Sequence, residues 1–256
     1  GLIAWGFAEP VFYIETPPFG IVPHSDLAYE FAHMYPIYHW GIVPWAIYCL
    51  PAVPIAYMLF VDNRKSLKIS DACDHALPER GRSTLRTAID IFVLLGIVGG
   101  VATSLGFGVP LSASLTSQLL GVPDNLLTQG AVILIMTAVF GTSAYRGLKR
   151  GIKVLADLNL WLMYFVMVFV VLLGPTIYIC SMSINSVGLM LDNFFRISFW
   201  TDPVSKSGFP EAWTVFYWAW RLAYARMMGL FFGRISKGRS IRKVVLGIIG
   251  FGALGT

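Results

Sequence analysis

The stretch WTVFYWAWRLAYARMM, residues Trp213 to Met228, is the most informative segment of the chain. Six of its sixteen residues are Trp, Tyr or Phe, and two are Arg, in an otherwise apolar run. On an α-helix of ~3.6 residues per turn, one stripe collects Trp213, Tyr217, Trp220, Tyr224 and Met228. Stacked aromatic faces suit a cation without hydrogen-bond donors, such as a quaternary ammonium. Packing or an interfacial belt is the alternative role of such a stripe.

The composition predicts an all-α polytopic membrane protein. Apolar residues make up 56% and charged residues 13% of the chain, whereas a soluble domain carries about 25% charged residues. Apolar runs long enough to cross a lipid bilayer, ~20 residues, recur along the sequence. Most of the net charge of +5 lies in short loops between these runs, so it does not indicate a nucleic-acid partner.

The hydrophobic pattern predicts six membrane spans and the start of a seventh within one transmembrane transporter domain, residues 1–256. The spans run from Gly1 to about Ile14, Glu30 to Val61, Ala88 to Leu115, Leu126 to Tyr145, Leu155 to Cys180 and Glu211 to Gly233, and the seventh begins near Val244. The second span contains four prolines, which predict kinks or an early break. Residues 187–197 have helical periodicity and are expected to lie along the membrane surface. Because the chain starts and stops inside apolar segments, we expect it to be part of a longer protein.

Basic residues alternate between the loops. The loops at about 62–87, 146–153 and 234–243 carry six, four and five of the 19 Lys and Arg residues, whereas the loops after the odd-numbered spans hold only Arg196 and Lys206. Lys and Arg accumulate on the cytoplasmic side of membrane proteins. The three basic loops are therefore predicted to be cytoplasmic.

Ionisable residues inside predicted spans are costly, and they indicate function unless a structural role explains them. They are Glu9, Asp90, Asp157, Arg221 and Arg226. Asp90 and Asp157 suit the starts of cytoplasmic helices, where each can pair with the basic residue four positions earlier. Glu9 can cap or pair near an outer helix end, and Arg226 can extend toward the cytoplasmic face. Arg221 lies near the middle of its span, and its partner is open between a substrate carboxylate, Glu9, a backbone carbonyl and water.

The sequence contains no pattern of an enzyme or of a cofactor site. The four histidines form no metalloprotease motif, and the patterns of serine hydrolases and phosphate-binding loops are absent. Cys49, Cys73 and Cys180 have neither disulfide-like nor metal-ligand spacing. We therefore predict no catalytic residues, no metal and no cofactor.

Several longer strings carry a resemblance to a known family. They are WGFAEPVFYIETPPFGI (Trp5 to Ile21), AHMYPIYHWGIVPW (Ala32 to Trp45), ATSLGFG (Ala102 to Gly108), GFPEAWTVFYWAW (Gly208 to Trp220) and ARMMGLFFGRISKGRSIR (Ala225 to Arg242). With these strings the chain resembles the betaine/choline/carnitine transporter family, and within it the carnitine/γ-butyrobetaine antiporter branch. The resemblance covers essentially all 256 residues.

The resemblance implies a fold and an assembly. Family members have a LeuT-like inverted-repeat transporter fold with twelve spans, of which this chain would hold about seven, from the third to the ninth. They lie in the inner (plasma) membrane as multi-pass proteins and form homotrimers. The substrate would be a small zwitterionic trimethylammonium compound bound at the bilayer midplane.

The resemblance also implies site residues. Four aromatic residues would enclose the trimethylammonium group, an arrangement called here the predicted aromatic box: Phe12, Trp40, Trp220 and Tyr224. Met228 matches a methionine that replaces one sodium ion, and Trp213 matches a tryptophan of an outer, secondary site. We group Arg221 with that secondary site. Arg221 replaces a family tryptophan, which makes a substrate with a carboxylate more plausible than choline.

The ion-site positions depart from the family pattern. Sodium-coupled relatives carry threonines where this chain has Ile97 and Val101, and apolar side chains offer no oxygen to a hard cation. Asn159 stands where the antiporter has an arginine. These positions favour sodium-independent exchange of carnitine-type or betaine-type substrates, while proton coupling, sodium binding by carbonyls and the absence of any coupling ion stay open. The alternatives are a sodium- or proton-coupled glycine betaine symporter for osmoprotection, a transporter-like sensor, and a nonfunctional fragment.

Overall fold

The computed structural model describes residues 2–64, 66, 68–147, 151 and 153–255, and every regular element within them is helical. The helices are α1 (Leu2–Glu15), α2 (Asp26–Trp40), α3 (Ile42–Phe60), α4 (Ile69–Ala72), α5 (Arg82–Leu120), α6 (Leu126–Tyr145), α7 (Lys153–Leu173), α8 (Thr176–Phe199), α9 (Phe216–Ile235), α10 (Ile241–Leu246) and α11 (Gly252–Leu254). A 3₁₀ turn covers Asp74–Ala76, and π-helical turns cover Pro210–Val215 and Gly247–Phe251. The all-α prediction is confirmed.

Four apolar stretches of the described chain are long enough to cross a membrane. They are Asp26–Phe60, Arg82–Leu120, Leu126–Tyr145 and Lys153–Leu173. The bounds of α6 coincide with those of the predicted fourth span. Helices α1 and α9, predicted as the first and sixth spans, do not meet the same criterion of length and hydropathy. Helix α1 has 14 residues, and α9 carries three arginines, so their membrane crossing stays a prediction.

The predicted break in the second span is confirmed. Helix α2 ends at Trp40 and α3 begins at Ile42, with Gly41 between them at φ −83° and ψ −125°. A Cβ at residue 41 would collide with the carbonyl oxygen of Ile37, so glycine is required there. Two further prolines of the predicted span, Pro51 and Pro54, lie inside α3 without ending it.

The predicted bounds of the fifth span and of the surface helix are wrong. Helix α7 ends at Leu173 rather than at Cys180, and α8 runs over Thr176–Phe199 rather than over residues 187–197. Pro175 has no amide hydrogen and disfavours a helical conformation at the residue before it, Gly174. The break therefore falls earlier than hydropathy indicates, and the residues after it join the more polar helix.

The polar loop at 62–87 has local structure held by ion pairs. Arg86 pairs with Asp71, and its Nη1 lies 3.5 Å from Asp74 Oδ1. Lys68 Nζ lies 3.7 Å from Asp90 Oδ2. The expected pair between Asp90 and the residue four positions earlier is therefore wrong, because Arg86 is engaged by two other carboxylates.

The chain divides into two compact units. One contains residues 101–181, and its core is formed by Val109, Ala113 and Val132 with Met136 against them. The other contains residues 2–100 and 182–255. In this second unit the main buried cluster comprises Tyr13, Phe31, Ala32, Met34, Tyr35, Tyr38, Met190, Ile197 and Phe209.

Within the second unit, α3 packs closely against α9. The buried residues of α9 are spaced by four: Tyr217, Arg221, Ala225, Gly229 and Gly233. A Cβ at Gly229 would lie 2.9 Å from Pro51 Cβ, and one at Gly233 would lie 2.8 Å from Ile55 Cγ2. Small residues at this spacing let two membrane helices approach. The same helix face that packs the small residues brings Arg221 toward α3.

Candidate functional site

A buried arginine lies among aromatic rings where α2, α3 and α9 meet. The Cζ atom of Arg221 lies 4.1 Å from the ring centroid of Trp40, 5.5 Å from that of Trp220 and 5.9 Å from that of Tyr217. Its Nη1 donates a hydrogen bond of 3.5 Å to the hydroxyl of Tyr48. The side chain is 9% exposed. The guanidinium is therefore held by π faces, and no carboxylate of the described residues pairs with it.

A buried carboxylate connects three of the surrounding side chains. Glu9 is fully buried, and its Oε1 accepts hydrogen bonds of 2.5 Å from Trp40 Nε1 and from the Tyr217 hydroxyl. Its Oε2 accepts a hydrogen bond of 2.9 Å from Tyr13. An ionised carboxylate is an acceptor only, and it suits a position to which several donors converge. Glu9 thus fixes the orientation of Trp40 and Tyr217, which differs from the capping role expected from sequence.

A histidine extends this network toward the start of α9. His39 is fully buried, with Nδ1 3.0 Å from the Tyr13 hydroxyl and 3.8 Å from Glu9 Oε2. Its Nε2 lies 3.1 Å from the Oγ1 atom of Thr214, in the π-helical turn. The polar network therefore joins α1, α2 and the segment leading into α9.

The aromatic stripe predicted along α9 forms in part. The rings of Trp213 and Tyr217 are stacked with centroids 6.5 Å apart, and those of Tyr217 and Trp220 are stacked at 6.1 Å. Tyr217 is fully buried between its neighbours. The stripe faces α1 and α2. The rings of Trp5 and Trp40 each meet the ring of Trp220 edge to face, with centroids 6.3 Å apart.

The structure brings together two members of the predicted aromatic box. The rings of Trp40 and Trp220 meet at 79° with centroids 6.3 Å apart. Phe12 is 52% exposed and lies against Trp213, at 5.6 Å. Among the described residues, no ring pair joins Phe12 to Trp40 or to Trp220. Tyr224 is half-buried on the same helix as Trp220.

Tyr224 also faces the fifth helix. Its hydroxyl donates a hydrogen bond of 3.1 Å to the carbonyl oxygen of Gly100. A Cβ at Gly100 would lie 3.2 Å from the Tyr224 ring, so glycine allows this approach. Met228 is half-buried one turn farther along α9. Tyr224 therefore connects this face of α9 to α5.

The grouping of Arg221 with Trp213 in a secondary site is not what the structure shows. The guanidinium contacts Trp40 and Trp220, which belong to the predicted aromatic box. Trp213 contacts Phe12 and Tyr13, the latter at 4.8 Å with the rings edge to face. Arg221 thus lies beside two residues of the predicted aromatic box, and Trp213 lies beside a third, Phe12.

The ion-site positions lie on α5 and α7. Ile97 is half-buried in the unit of residues 2–100 and 182–255. Val101 is 43% exposed, and Asn159 is exposed on α7, both in the unit of residues 101–181. The apolar side chains of Ile97 and Val101 have no oxygen for a cation, whereas the amide of Asn159 has one.

The sequence reasoning missed several residues of the site. Trp5 contacts Tyr217 and Trp220, and Tyr48 accepts a hydrogen bond from Arg221, yet the sequence pattern singles out neither residue. The sequence predicts that Glu9 caps or pairs, whereas its carboxylate accepts hydrogen bonds from three side chains. The sequence indicates such a network through one feature, a single carboxylate in an apolar segment. A buried carboxylate needs several hydrogen-bond donors around it.

A cleft of about 570 Å³ opens beside this site, among α3, α5 and α9. Its lining is mostly apolar and includes Leu50, Pro51, Phe92, Leu222 and Arg226. None of the residues of the predicted aromatic box lines it. The buried aromatic site and this cleft therefore lie against different residues of α9.

A family model described as BCCT, betaine/carnitine/choline family transporter, matches residues 1–256 of the chain.

Proposed function

The chain belongs to the betaine/carnitine/choline family of transporters, and on that premise we propose that it exchanges zwitterionic carnitine-type or betaine-type compounds across the plasma membrane without sodium. Members of this family are transporters and not enzymes. The family implies a small quaternary-ammonium substrate and a multi-pass protein embedded in the lipid bilayer. The exchange mode, the preference for zwitterions, the plasma membrane and a homotrimeric assembly are parts of the proposal.

The observation that carries the proposal is a cation held between rings from two helices. Trp40 of α2 and Trp220 of α9 lie with their rings edge to face, and the Arg221 guanidinium is within 5.5 Å of both centroids. A cation over an aromatic face gains ~0.5–2 kcal/mol, depending on desolvation. Rings that hold a guanidinium in a buried site have the electrostatic character that an N-methylated ammonium requires.

The proposed binding mode uses the predicted aromatic box. The head group contacts Trp220, Trp40 and Tyr224, and Phe12 joins them when the ring moves away from Trp213. Met228, one turn beyond Tyr224 on α9, completes the proposed site. Opening the site alternately to the two sides of the membrane follows the general logic of inverted-repeat transporters, in which one bundle rocks against the other around a midplane site.

Sodium independence rests on the side chains available at the ion-site positions. Sodium prefers oxygen ligands, and Ile97 and Val101 offer none. Asn159 could supply a neutral oxygen, which is the observation that favours a sodium-coupled symporter as the second candidate. Exchange and symport differ in whether uptake requires a sodium gradient or a substrate on the opposite side.

Counterflow in liposomes tests the proposal. We expect the protein to accumulate labelled glycine betaine or γ-butyrobetaine only when unlabelled substrate is inside, with the same rate in sodium and potassium buffers. Trp220→Ala should reduce counterflow at least about tenfold, because one or more cation–π contacts are lost. Trp161→Ala is the matched control, since Trp161 is 74% exposed on α7, and its activity should equal that of the unmodified protein.

Three outcomes would contradict parts of this proposal. Uptake that requires sodium would favour the symporter. Equal loss in the two tryptophan variants would mean that Trp220 has no special role. Absence of exchange with every betaine, in protein that is well folded, would reject the transport assignment and favour a sensor or a nonfunctional fragment.

A further inference from the structure

We infer that Arg221 is a specificity-determining residue that binds the carboxylate of the transported compound. The inference rests on the proposed function, because it names the part of the substrate that this site recognises. The substrate class is a zwitterion with both an N-methylated ammonium and a carboxylate. Cationic compounds without a carboxylate, such as choline, bind more weakly.

The first step is that Arg221 is a buried charge with unused donors. Of its hydrogen-bonding atoms, Nη1 reaches Tyr48, whereas Nε and Nη2 are buried and have no partner in the part of the chain that the structure describes. A buried cation without a counter-ion is strongly disfavoured, and a ligand carboxylate would supply the missing half of the pair. In this inference the carboxylate binds to the open donors Nε and Nη2 of this side chain, which is 9% exposed.

The second step is that the nearest buried carboxylate is already committed. The oxygens of Glu9 accept hydrogen bonds from Trp40, Tyr217 and Tyr13. Among the described residues, no ion pair joins Glu9 to Arg221; the cationic candidate near Glu9 is His39, at 3.8 Å. Glu9 therefore sets the orientation of the rings and leaves the guanidinium donors available.

The third step is that a neighbouring donor is also unused. Trp220 Nε1 is buried and has no hydrogen-bond partner among the described residues. Trp220 and Arg221 are adjacent in sequence, and the Arg221 Cζ atom lies 5.5 Å from the Trp220 ring centroid. A carboxylate offers two oxygens and about four acceptor sites, and it binds a guanidinium through two parallel hydrogen bonds. It is the acceptor chemistry that these open donors require.

The fourth step concerns the cationic end of the substrate. Arg221 already places a positive charge over Trp40, so a second cation entering alone would be repelled in a site of low dielectric constant. A zwitterion avoids this, because its carboxylate neutralises Arg221 while its ammonium group contacts the remaining ring faces. The arginine thus selects for the carboxylate.

The test is isothermal titration of the purified full-length protein with four probes: glycine betaine, γ-butyrobetaine, choline and butyrate. We expect the two betaines to bind at least about tenfold more tightly than choline, the discrimination typical of one charge-assisted bidentate pair. In Arg221→Met, which retains length without charge, the betaines should weaken by about tenfold or more and choline should bind better, so the preference disappears. Arg221→Lys is the matched control, since it keeps the charge but not the planar donor pair, and it should retain the preference at reduced affinity.

The outcomes separate this inference from the proposed function. If the unmodified protein binds choline as tightly as the betaines, Arg221 does not select for a carboxylate, although quaternary-ammonium transport stands. If the unmodified protein binds none of the ammonium compounds, the proposed function fails and the inference fails with it. The probe panel on the unmodified protein decides between these results even if the methionine variant does not fold, and a betaine preference retained in folded Arg221→Met would overturn the role of Arg221.

Discussion

At the scale of single residues, Glu9 and Arg221 show how one site keeps two opposite charges apart. Glu9 is surrounded by hydrogen-bond donors, whereas Arg221 is surrounded mainly by π faces. Trp40 takes part in both environments, because its Nε1 donates to the carboxylate while its ring faces the guanidinium. This hydrogen bond holds the indole ring in a fixed orientation. A change at Glu9 therefore affects the ring that carries the cation.

Replacing Glu9 should destabilise the protein according to the acceptors that are lost. Glu9→Leu leaves Trp40 Nε1–H and the Tyr217 hydroxyl without an acceptor, and each orphaned buried donor costs about 1–3 kcal/mol. Glu9→Gln should be milder, because its amide oxygen can accept from both and its amino group can donate to Tyr13. The measurement is the thermal unfolding midpoint in detergent.

A matched control for these variants lies on the same helix. Glu15→Leu removes a carboxylate whose side chain is 61% exposed, so its midpoint should stay close to that of the unmodified protein. Equal midpoints for Glu9→Leu and Glu15→Leu would show that the buried hydrogen bonds of Glu9 do not contribute to stability.

At the scale of elements, the sequence predicts the aromatic stacking along α9 but not which face of this helix is buried. The stacking of Trp213, Tyr217 and Trp220 follows from helical spacing alone, and the structure confirms it. The buried face of α9, however, is the row that ends in Gly229 and Gly233. Aromatic residues mark one face of a helix in the sequence. The closest packing against a neighbouring helix is set by the smallest side chains, which lie on another face.

Local sequence patterns could not predict that α1, α2 and α9 come together at the site. The spacing of Glu9, Trp40 and Tyr217 along the chain does not indicate that their side chains form hydrogen bonds with each other. Glu9 and Tyr217, for example, are 208 residues apart in the sequence. Such contacts depend on how whole helices pack. The break before Pro175 shows the opposite case, because a local rule sets the end of α7 although hydropathy alone predicts a longer span.

The packing of α3 on α9 gives a prediction for the two glycines. Gly229→Ala and Gly233→Ala would each place a Cβ within 3.0 Å of a side chain of α3, which should cost about 1–3 kcal/mol by overpacking. Alanine has the higher helix propensity, by about 0.8–1 kcal/mol, so any loss of stability must come from the interface. The thermal unfolding midpoint of each purified variant measures it.

Gly188→Ala controls for the helix propensity alone. A Cβ at Gly188, in α8, would meet nothing within 4 Å, so this variant should be as stable as the unmodified protein or more stable. If the α9 variants gained stability to the same extent, the close approach of α3 and α9 would be refuted.

At the scale of the whole molecule, two of the helices that build the site, α1 and α9, differ from the described helices that qualify as spans. The described stretches that qualify as spans by length and hydropathy include α5, α6 and α7. Helices α1 and α9 do not qualify, and they carry Glu9, Arg221 and Arg226. Ionisable groups at membrane depth face a protein interior or a water-filled cavity. The ionisable residues of α1 and α9 are therefore what a buried polar site requires.

Whether α9 crosses the membrane can be tested from the loops at its two ends. The loop before α9 contains Ser205, which is exposed, and the basic loop after it contains Lys237, also exposed. The charge distribution predicts that residue 205 lies outside and residue 237 in the cytoplasm. We expect a membrane-impermeant maleimide to label Ser205→Cys in intact cells and Lys237→Cys only after permeabilisation.

The labelling requires a background without the native thiols Cys49, Cys73 and Cys180, replaced by serine and shown to retain exchange. Restoring Cys73, in the predicted cytoplasmic loop at 62–87, provides an internal control, because it should behave like Lys237→Cys. Labelling of both new cysteines from the same side would mean that α9 does not cross the bilayer. Arg221 and Trp220 would then lie outside a transmembrane pathway, and the aromatic site could bind an ammonium compound without transporting it.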